Sequence, residues 1–412
     1  MTDELTEGRN PTADGSPRPS TSRRRRNRRR RSKRNKDRGP QTPSQPIEGY
    51  LWCRDDSRCV LVSDSFRQDR DDPVVDSSLV RRWRLEGGVR IHGQMQSGNG
   101  RKRPTVVSID SIEGIEPDEY RGKAVPFADL ISIDPTERFS LETDADLLEP
   151  RVVELVAPIG KGQRCLIVAP PKAGKTTLLQ QLARAIATNH PETHIFVLLV
   201  DERPEEVTDW KRSVVRGEVV ASSSDESIQS HIDVSEIVLE RARRLVELGE
   251  DVVVFMDSLT RMSRAYNNNL KGSGRIMSGG IDARTMEKPR RFFGSARNIE
   301  HGGSITIIAT CLIDTGSRMD EVIFQEFKGT GNMEIVLSHE LFERRIFPCI
   351  HIGQSGTRKE EKLYSKEKVD KIYLLRRALA SLPAHEAMQL LLSKLKQFKS
   401  NDEFLKSIQA PS

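Results

Sequence analysis

Residues 165–177, CLIVAPPKAGKTT, constrain this chain more than any other stretch. Leu166, Ile167, Val168 and Ala169 form a short apolar run of the kind that makes a buried strand. A polar loop follows, and then TTLLQQLARAIA, whose apolar spacing predicts a helix. A loop between strand and helix leaves backbone N–H groups unpaired at the helix start. Those groups and the helix dipole suit phosphate oxygens. The pattern is A-x-x-x-x-G-K-T, with Ala169 where glycine is usual. It makes Ala169, Pro170, Pro171, Lys172, Ala173, Gly174, Lys175, Thr176 and Thr177 a candidate ATP-binding loop. Lys175 would reach the β- and γ-phosphates, and the Thr176 hydroxyl would ligate Mg²⁺. An ordinary strand–turn–helix is the plain alternative.

The chain before this loop falls into two unlike parts. Residues 1–46 hold few large apolar side chains and many Pro, Ser, Arg and Asn, so they are expected to be disordered. Residues 23–38, RRRRNRRRRSKRNKDR, carry +11 against +6 for the whole chain, which leaves the remainder net acidic. Such a block attracts polyanions, chiefly nucleic acid, in a salt-dependent way. Residues 47–140 instead show five short apolar segments (GYLWC, RCVLV, PVV, VRIHGQM, PTVVSID) between turn residues, with SSLVRRW as a short capped helix. That spacing predicts a small β-barrel of the oligonucleotide-binding (OB) type. Tyr50, Trp52, Phe66 and Trp83 are its candidate base-stacking aromatics, and Arg58, Arg101, Lys102 and Arg103 its candidate backbone contacts. A barrel used only for assembly is the alternative.

Residues 141–412 read as one RecA-like P-loop ATPase domain, so the fold class is multi-domain α/β. Apolar strands at 195–200, 252–256 and 304–310 alternate with a helical pattern at 234–248, which implies a mostly parallel sheet. Two further helical segments, 366–382 and 384–398, follow. Ligands in such sheets sit at the carboxyl ends of strands, which lines up residues 169–176 with Glu202, Asp257 and Thr310. Asp257 ends VVVFMD and suits a metal-supporting carboxylate; Glu202 suits the polarisation of an attacking water. Arg358 in GQSGTRK, with Arg345 and Arg261, is a candidate for transition-state charge, though the bare sequence ranks none of them first. Two Gly-rich basic stretches, KGSGRIMSGG (271–280) and KGTGN (328–332), are left over by ATP chemistry and allow close approach to a ligand backbone. The five cysteines are scattered and read as reduced thiols. No apolar run reaches the roughly 18 residues of a membrane span, and the acidic, polar N-terminus has no signal core.

Longer strings then become recognisable. VAPPKAGKTTLLQ, LLVDERPEEVTDW, FMDSLTRMSRAYN, PRRFFGSARN, IDTGSRMDEVIFQEFKGTGNMEI and SGTRKEE closely resemble the bacterial transcription termination factor Rho family. The resemblance implies a homohexameric, ATP- and Mg²⁺-dependent RNA translocase and helicase. Its partners would be single-stranded RNA, RNA polymerase and elongation factors, in the cytoplasm and without a membrane. It further implies that Lys172, Lys175 and Thr176 bind phosphate and Mg²⁺, that Glu202 is the catalytic glutamate and that Asp257 supports the metal. Arg358 would be the arginine finger for the next subunit's ATP, assisted by Arg203, Arg261 and Arg345. Gly274, Arg275, Ser278, Gly279 and Gly280 would grip RNA, as would Lys328, Gly329, Thr330 and Gly331. The barrel departs from the family pattern. Ser57, Arg58, Cys59 and Val60 stand where an aromatic GFGF-type strand is usual, and Val74 stands where a later aromatic is. The small helical subdomain that often precedes the barrel is replaced by the Arg-rich tail. Each lost stacking contact is worth ~1–3 kcal/mol, so a weaker pyrimidine preference is expected. Two other readings use the same residues: a rotary or secretion-type ATPase, and a nucleic-acid-binding ring protein with a structural ATP site.

Overall fold

In the computed structural model, residues 44–55, 58–98, 103–270, 280 and 284–408 are described. The Arg-rich block, Arg101, Lys102, Gly274, Arg275, Ser278 and Gly279 therefore lie outside the described residues.

The first part is a closed five-stranded barrel in the order β1-β2-β3-β5-β4. Its elements are β1 (Ser44–Asp55), β2 (Arg58–Val62), β3 (Val74–Val75), α1 (Ser77–Trp83), β4 (Arg90–Gln96) and β5 (Thr105–Ile112), followed by α2 (Pro117–Lys123). Strand β1 starts at Ser44, so residues 44–46 belong to the barrel and not to the tail, because they pair with Gln96, Met95 and Gln94 of β4. The helix α1 sits where its cap requires it: Asp76 Oδ1 accepts from Ser78 N at 2.7 Å. Alternation along β1 sends Leu51 into the barrel core with Leu61, Val75, Ile91, Val106 and Ile112. Tyr50 and Trp52 point the other way.

That other face is not in solvent. Tyr50, Trp52, Val60, Val62 and Phe66 pack into one apolar cluster with Phe196, Leu198, Ile232 and Val234 of the second part. Tyr50 stacks on Phe66 at 4.5 Å, and Phe66 meets Phe196 edge-on at 6.2 Å. Polar pairs rim the seam, including Arg241–Glu113 at 2.5 Å and Arg54–Asp233 at 2.5 Å. Gly88, at φ +89°, lets the barrel backbone touch the backbone of Glu240 and Arg241, where a Cβ would come within 2.5 Å.

A connector with a 3₁₀ turn (Phe127–Asp129) and β6 (Ser132–Ile133) leads to the α/β part. Its strands are β7 (Arg164–Ala169), β8 (His194–Glu202), β9 (Glu218–Ser223), β10 (Asp251–Asp257), β11 (Arg297–Ile299), β12 (Ser304–Leu312), β13 (Met333–Val336) and β14 (Gly356–Thr357). The sheet order is β14-β13-β7-β12-β10-β8-β9, with β11 pairing β12 and β6 pairing β11. β7, β8, β9, β10, β12 and β13 are parallel; the ladders of β14, β11 and β6 are antiparallel. Both sheet faces are covered, as parallel sheets demand. Cys165, Ile167 and Ala169 face one apolar cluster, and Leu166 and Val168 the other.

The helices are α3 (Leu148–Val156), α4 (Lys175–Asn189), α5 (Pro204–Ser213), α6 (Ile228–Glu247), α7 (Leu259–Asn269), α8 (Glu287–Gly294), α9 (Arg318–Thr330), α10 (His339–Glu343), α11 (Lys366–Ala380), α12 (Ala384–Leu395) and α13 (Asn401–Ser407). The expected helices at 366–382 and 384–398 are α11 and α12, with α13 as an addition. No described helix is long and apolar enough to cross a membrane.

Candidate nucleotide and RNA sites

The site grows from strand β7 and helix α4. The loop between them takes left-handed backbone at Lys172 (φ +66°) and at Gly174 (φ +83°). Gly174 is the N-cap and has no side chain to cap the helix, so the first-turn N–H groups face the loop. Lys175, Thr176 and Thr177 form that first turn, and Pro171 and Lys172 are exposed beside it.

Two strand ends bring carboxylates to the loop. Asp257 closes β10 and is buried; its Oδ1 accepts from Thr310 Oγ1 at 2.7 Å. Its Oδ2 therefore faces Lys175 Nζ at 2.6 Å and Thr176 Oγ1 at 3.5 Å. Glu202 ends β8 just after a register shift in the β8–β9 ladder. Asp201, at φ +56°, supplies the kink that turns the chain there. Glu202 Oε1 lies 3.3 Å from Lys175 Nζ, and Oε2 lies 3.3 Å from Arg261. Arg261 also donates to the Asp201 carbonyl, so it braces the glutamate from α7.

Electrostatics follow from burial. Glu202 is 1% exposed, and desolvation, then the charge of Asp257, push its carboxyl up to about 7 against the pull of Lys175 and Arg261. Burial alone would lower the Lys175 ammonium, but Asp257 and Glu202 raise it. The pocket thus holds a cation ready to exchange carboxylate partners for phosphate, beside a carboxyl poised to take a proton. The donor set for a metal is one hydroxyl and one carboxylate. Among the described residues no cluster of three or more His, Cys, Asp or Glu could hold an ion. Such a sparse set fits a hard cation that keeps waters and shares substrate phosphates, as Mg²⁺ does.

The other predicted cations are dispersed. Arg203 is exposed just before α5. Arg345, exposed at φ +57°, lies 5.2 Å over the Phe342 ring. Arg358 is exposed, and its N–H bonds to Asn332 O at 2.9 Å. Asn332 in turn binds the Arg164 N–H at 2.8 Å, at the amino end of β7. The phosphate loop leaves the carboxyl end of that strand, roughly 16 Å away at about 3.3 Å per residue.

The RNA expectations change in three places. Lys328, Gly329 and Thr330 are the last turn of α9 and not an open loop, with Gly331 capping it. Lys328 is half exposed, 5.5 Å over Phe324. Gly280 is exposed at φ +79°. Tyr50, Trp52 and Phe66 cannot stack on bases, because the seam described above covers them; Trp83 stays half-buried with Arg82 at 4.7 Å. Arg58 and Arg103 are exposed on the barrel. The cysteines are not all reduced: Cys53 and Cys59, directly opposite across β1 and β2, form a disulfide, while Cys165, Cys311 and Cys349 are free and buried. Spacing alone could not show this, since the pairing depends on the hairpin register.

Residues 150–357 match the model described as ATP synthase alpha/beta family, nucleotide-binding domain, and residues 47–118 match Rho termination factor, RNA-binding domain. A transcription termination factor Rho from Micrococcus luteus is 50% identical over 373 residues, covering 88% of this chain and 54% of that protein. The chain thus spans about half the length of that relative. A transcription termination factor Rho from Aquifex aeolicus (strain VF5) is 49% identical over 366 residues, covering 88% of this chain and 83% of that protein. The fold is also similar to a prototypical ATPase from the type III secretion system of pathogenic bacteria, with TM-score 0.58 and 20% identity over 74% of this chain and 93% of that one.

Proposed function

The chain belongs to the transcription termination factor Rho family, and from that premise we propose that it is an RNA-stimulated ATPase that encircles nascent RNA as a homohexamer and releases it from RNA polymerase. It carries an ATPase nucleotide-binding domain and an RNA-binding domain. The cytoplasm is the compartment this activity requires.

In this reading Lys175 moves from Asp257 to the β- and γ-phosphates. Glu202, held by Arg261, orients the attacking water and accepts its proton. Mg²⁺, held by the Thr176 hydroxyl and supported by Asp257, would supply charge neutralisation on the phosphates. Arg358 reaches the phosphates of the adjoining subunit.

The observation that carries the proposal is the position of Arg358. Its backbone is bonded at the amino end of β13, a strand's length from its own phosphate loop, which is farther than an arginine side chain extends. It can serve only a site on another copy. The test is ATP hydrolysis by the purified chain with and without poly-C RNA. Strong stimulation is expected. Equal rates would favour a rotary or secretion-type ATPase, and no hydrolysis in either condition would favour a ring with a structural nucleotide.

A further inference from the structure

The backbone around Arg358 is held from three sides. Asn332 accepts its N–H, and the Asn332 side chain is itself fixed by Gln163 Nε2 and by the Arg164 N–H, each at 2.8 Å. After Arg358 the chain turns at Lys359 (φ +59°) into a 3₁₀ turn, Glu360–Lys362. Buried Glu360 receives Arg376 at 3.2 Å, and Arg376 also donates to Ser355 O at 2.6 Å. The third restraint comes from outside the loop. Asp134 accepts Lys359 Nζ at 3.0 and 2.9 Å on its two oxygens, and Lys362 Nζ at 2.6 Å.

Asp134 is not on a free segment. It follows β6, which pairs with β11 through Asn298↔Ile133 and Ile299↔Ser132, and Glu300 N donates to Ile131 O at 2.9 Å. β11 is joined to β12 in the sheet and comes directly after α8. The carboxylate is thus fixed to the sheet. Its surroundings are basic: Asp134 is the acidic residue lining the two adjoining cavities that Arg164, Arg297, Arg358, Lys359 and Lys362 also line. Without it, three neighbouring cations on one short loop would repel one another.

We propose that Asp134 is a positioning residue for ATP hydrolysis. By drawing Lys359 and Lys362 onto the sheet edge, it sets the attitude from which Arg358 reaches the adjoining subunit's nucleotide. The inference rests on the reading of Arg358 as the residue that completes a neighbour's site. The pairs are exposed, and such pairs are individually weak, so the restraint biases the loop and does not lock it. The expected cost of losing it is about 3- to 10-fold in turnover.

The experiment uses the full chain and RNA-stimulated hydrolysis. Asp134→Asn keeps the shape and removes the charge. It should lower kcat about 3- to 10-fold while the KM for ATP and nucleotide binding stay unchanged. Asp134→Glu should recover most of the loss, and Lys359→Ala combined with Lys362→Ala should reproduce it. Raising the salt should narrow the gap between Asp134→Asn and the parent, because screening weakens the same pairs in the parent. Arg358→Ala is the control for the underlying reading: if it hydrolyses ATP normally, that reading fails. If Arg358→Ala is inactive while Asp134→Asn turns over like the parent, or changes KM alone, the inference about Asp134 is overturned by itself.

Discussion

Glu202 and Asp257 stand a few ångströms from one ammonium yet have different work, because Thr310 and Lys175 hold Asp257 while Arg261 braces Glu202. Glu202→Gln should still bind ATP and lose about 10²- to 10⁴-fold in turnover, the span of a lost general base; equilibrium nucleotide binding and single-turnover rates check both halves. The sign of the pH effect follows from burial. The folded carboxyl, pushed up to about 7 by burial and by Asp257, holds its proton where an unfolded glutamate has released it. Folding is therefore favoured below the unfolded pKa, and this contribution is lost as pH rises towards 7. Activity runs the opposite way, since only the ionised group can accept a proton. The parent's kcat/KM should fall as pH drops below about 7, and Glu202→Gln should lack that acid limb. Lys175, Thr176, Asp257 and Glu202 were legible because each sits at a fixed offset from an apolar run. The Arg261 brace and the Asp134 tether were not, because each joins residues far apart in sequence and depends on sheet order.

Whole elements were read well where one physical pattern ruled and poorly where two competed. The parallel strands are apolar on both faces, so their runs announced them. In β1 the alternation was visible, but alternation does not say what covers the second face. Tyr50 and Trp52 fit both a base-stacking surface and a buried seam, and contact with Phe196 and α6 decides for the seam. In α9, two glycines in KGTGN suggested a loop, yet Gly329 is tolerated in the final turn and only Gly331 leaves the helix. The β1–β2 hairpin adds a prediction of its own. Under non-reducing conditions no thiol should label quickly, because Cys53 and Cys59 are joined and the other three are buried. Reductant should free the half-buried Cys53 for labelling by a maleimide. Cys53→Ser should destabilise the barrel by up to about 2 kcal/mol, the chain-entropy value for so short a loop, read from denaturant midpoints.

At the scale of the whole molecule, the nucleotide site is half a site. Lys175→Ala and Arg358→Ala proteins should each be inactive alone, yet mixing them should restore part of the hydrolysis, because some adjoining pairs then hold an intact phosphate loop next to an intact Arg358. Failure to complement in mixed assemblies would argue against a shared pocket. The burial of Tyr50, Trp52 and Phe66 against Phe196 has another outcome at this scale. Cutting the chain between barrel and ATPase part would leave a greasy scar on both pieces. A fragment starting near residue 141 should come out of cells largely insoluble and bind hydrophobic dyes, whatever its catalytic residues can do. The barrel is thus a lid the engine cannot shed: whatever tugs on one is felt by the other without slack.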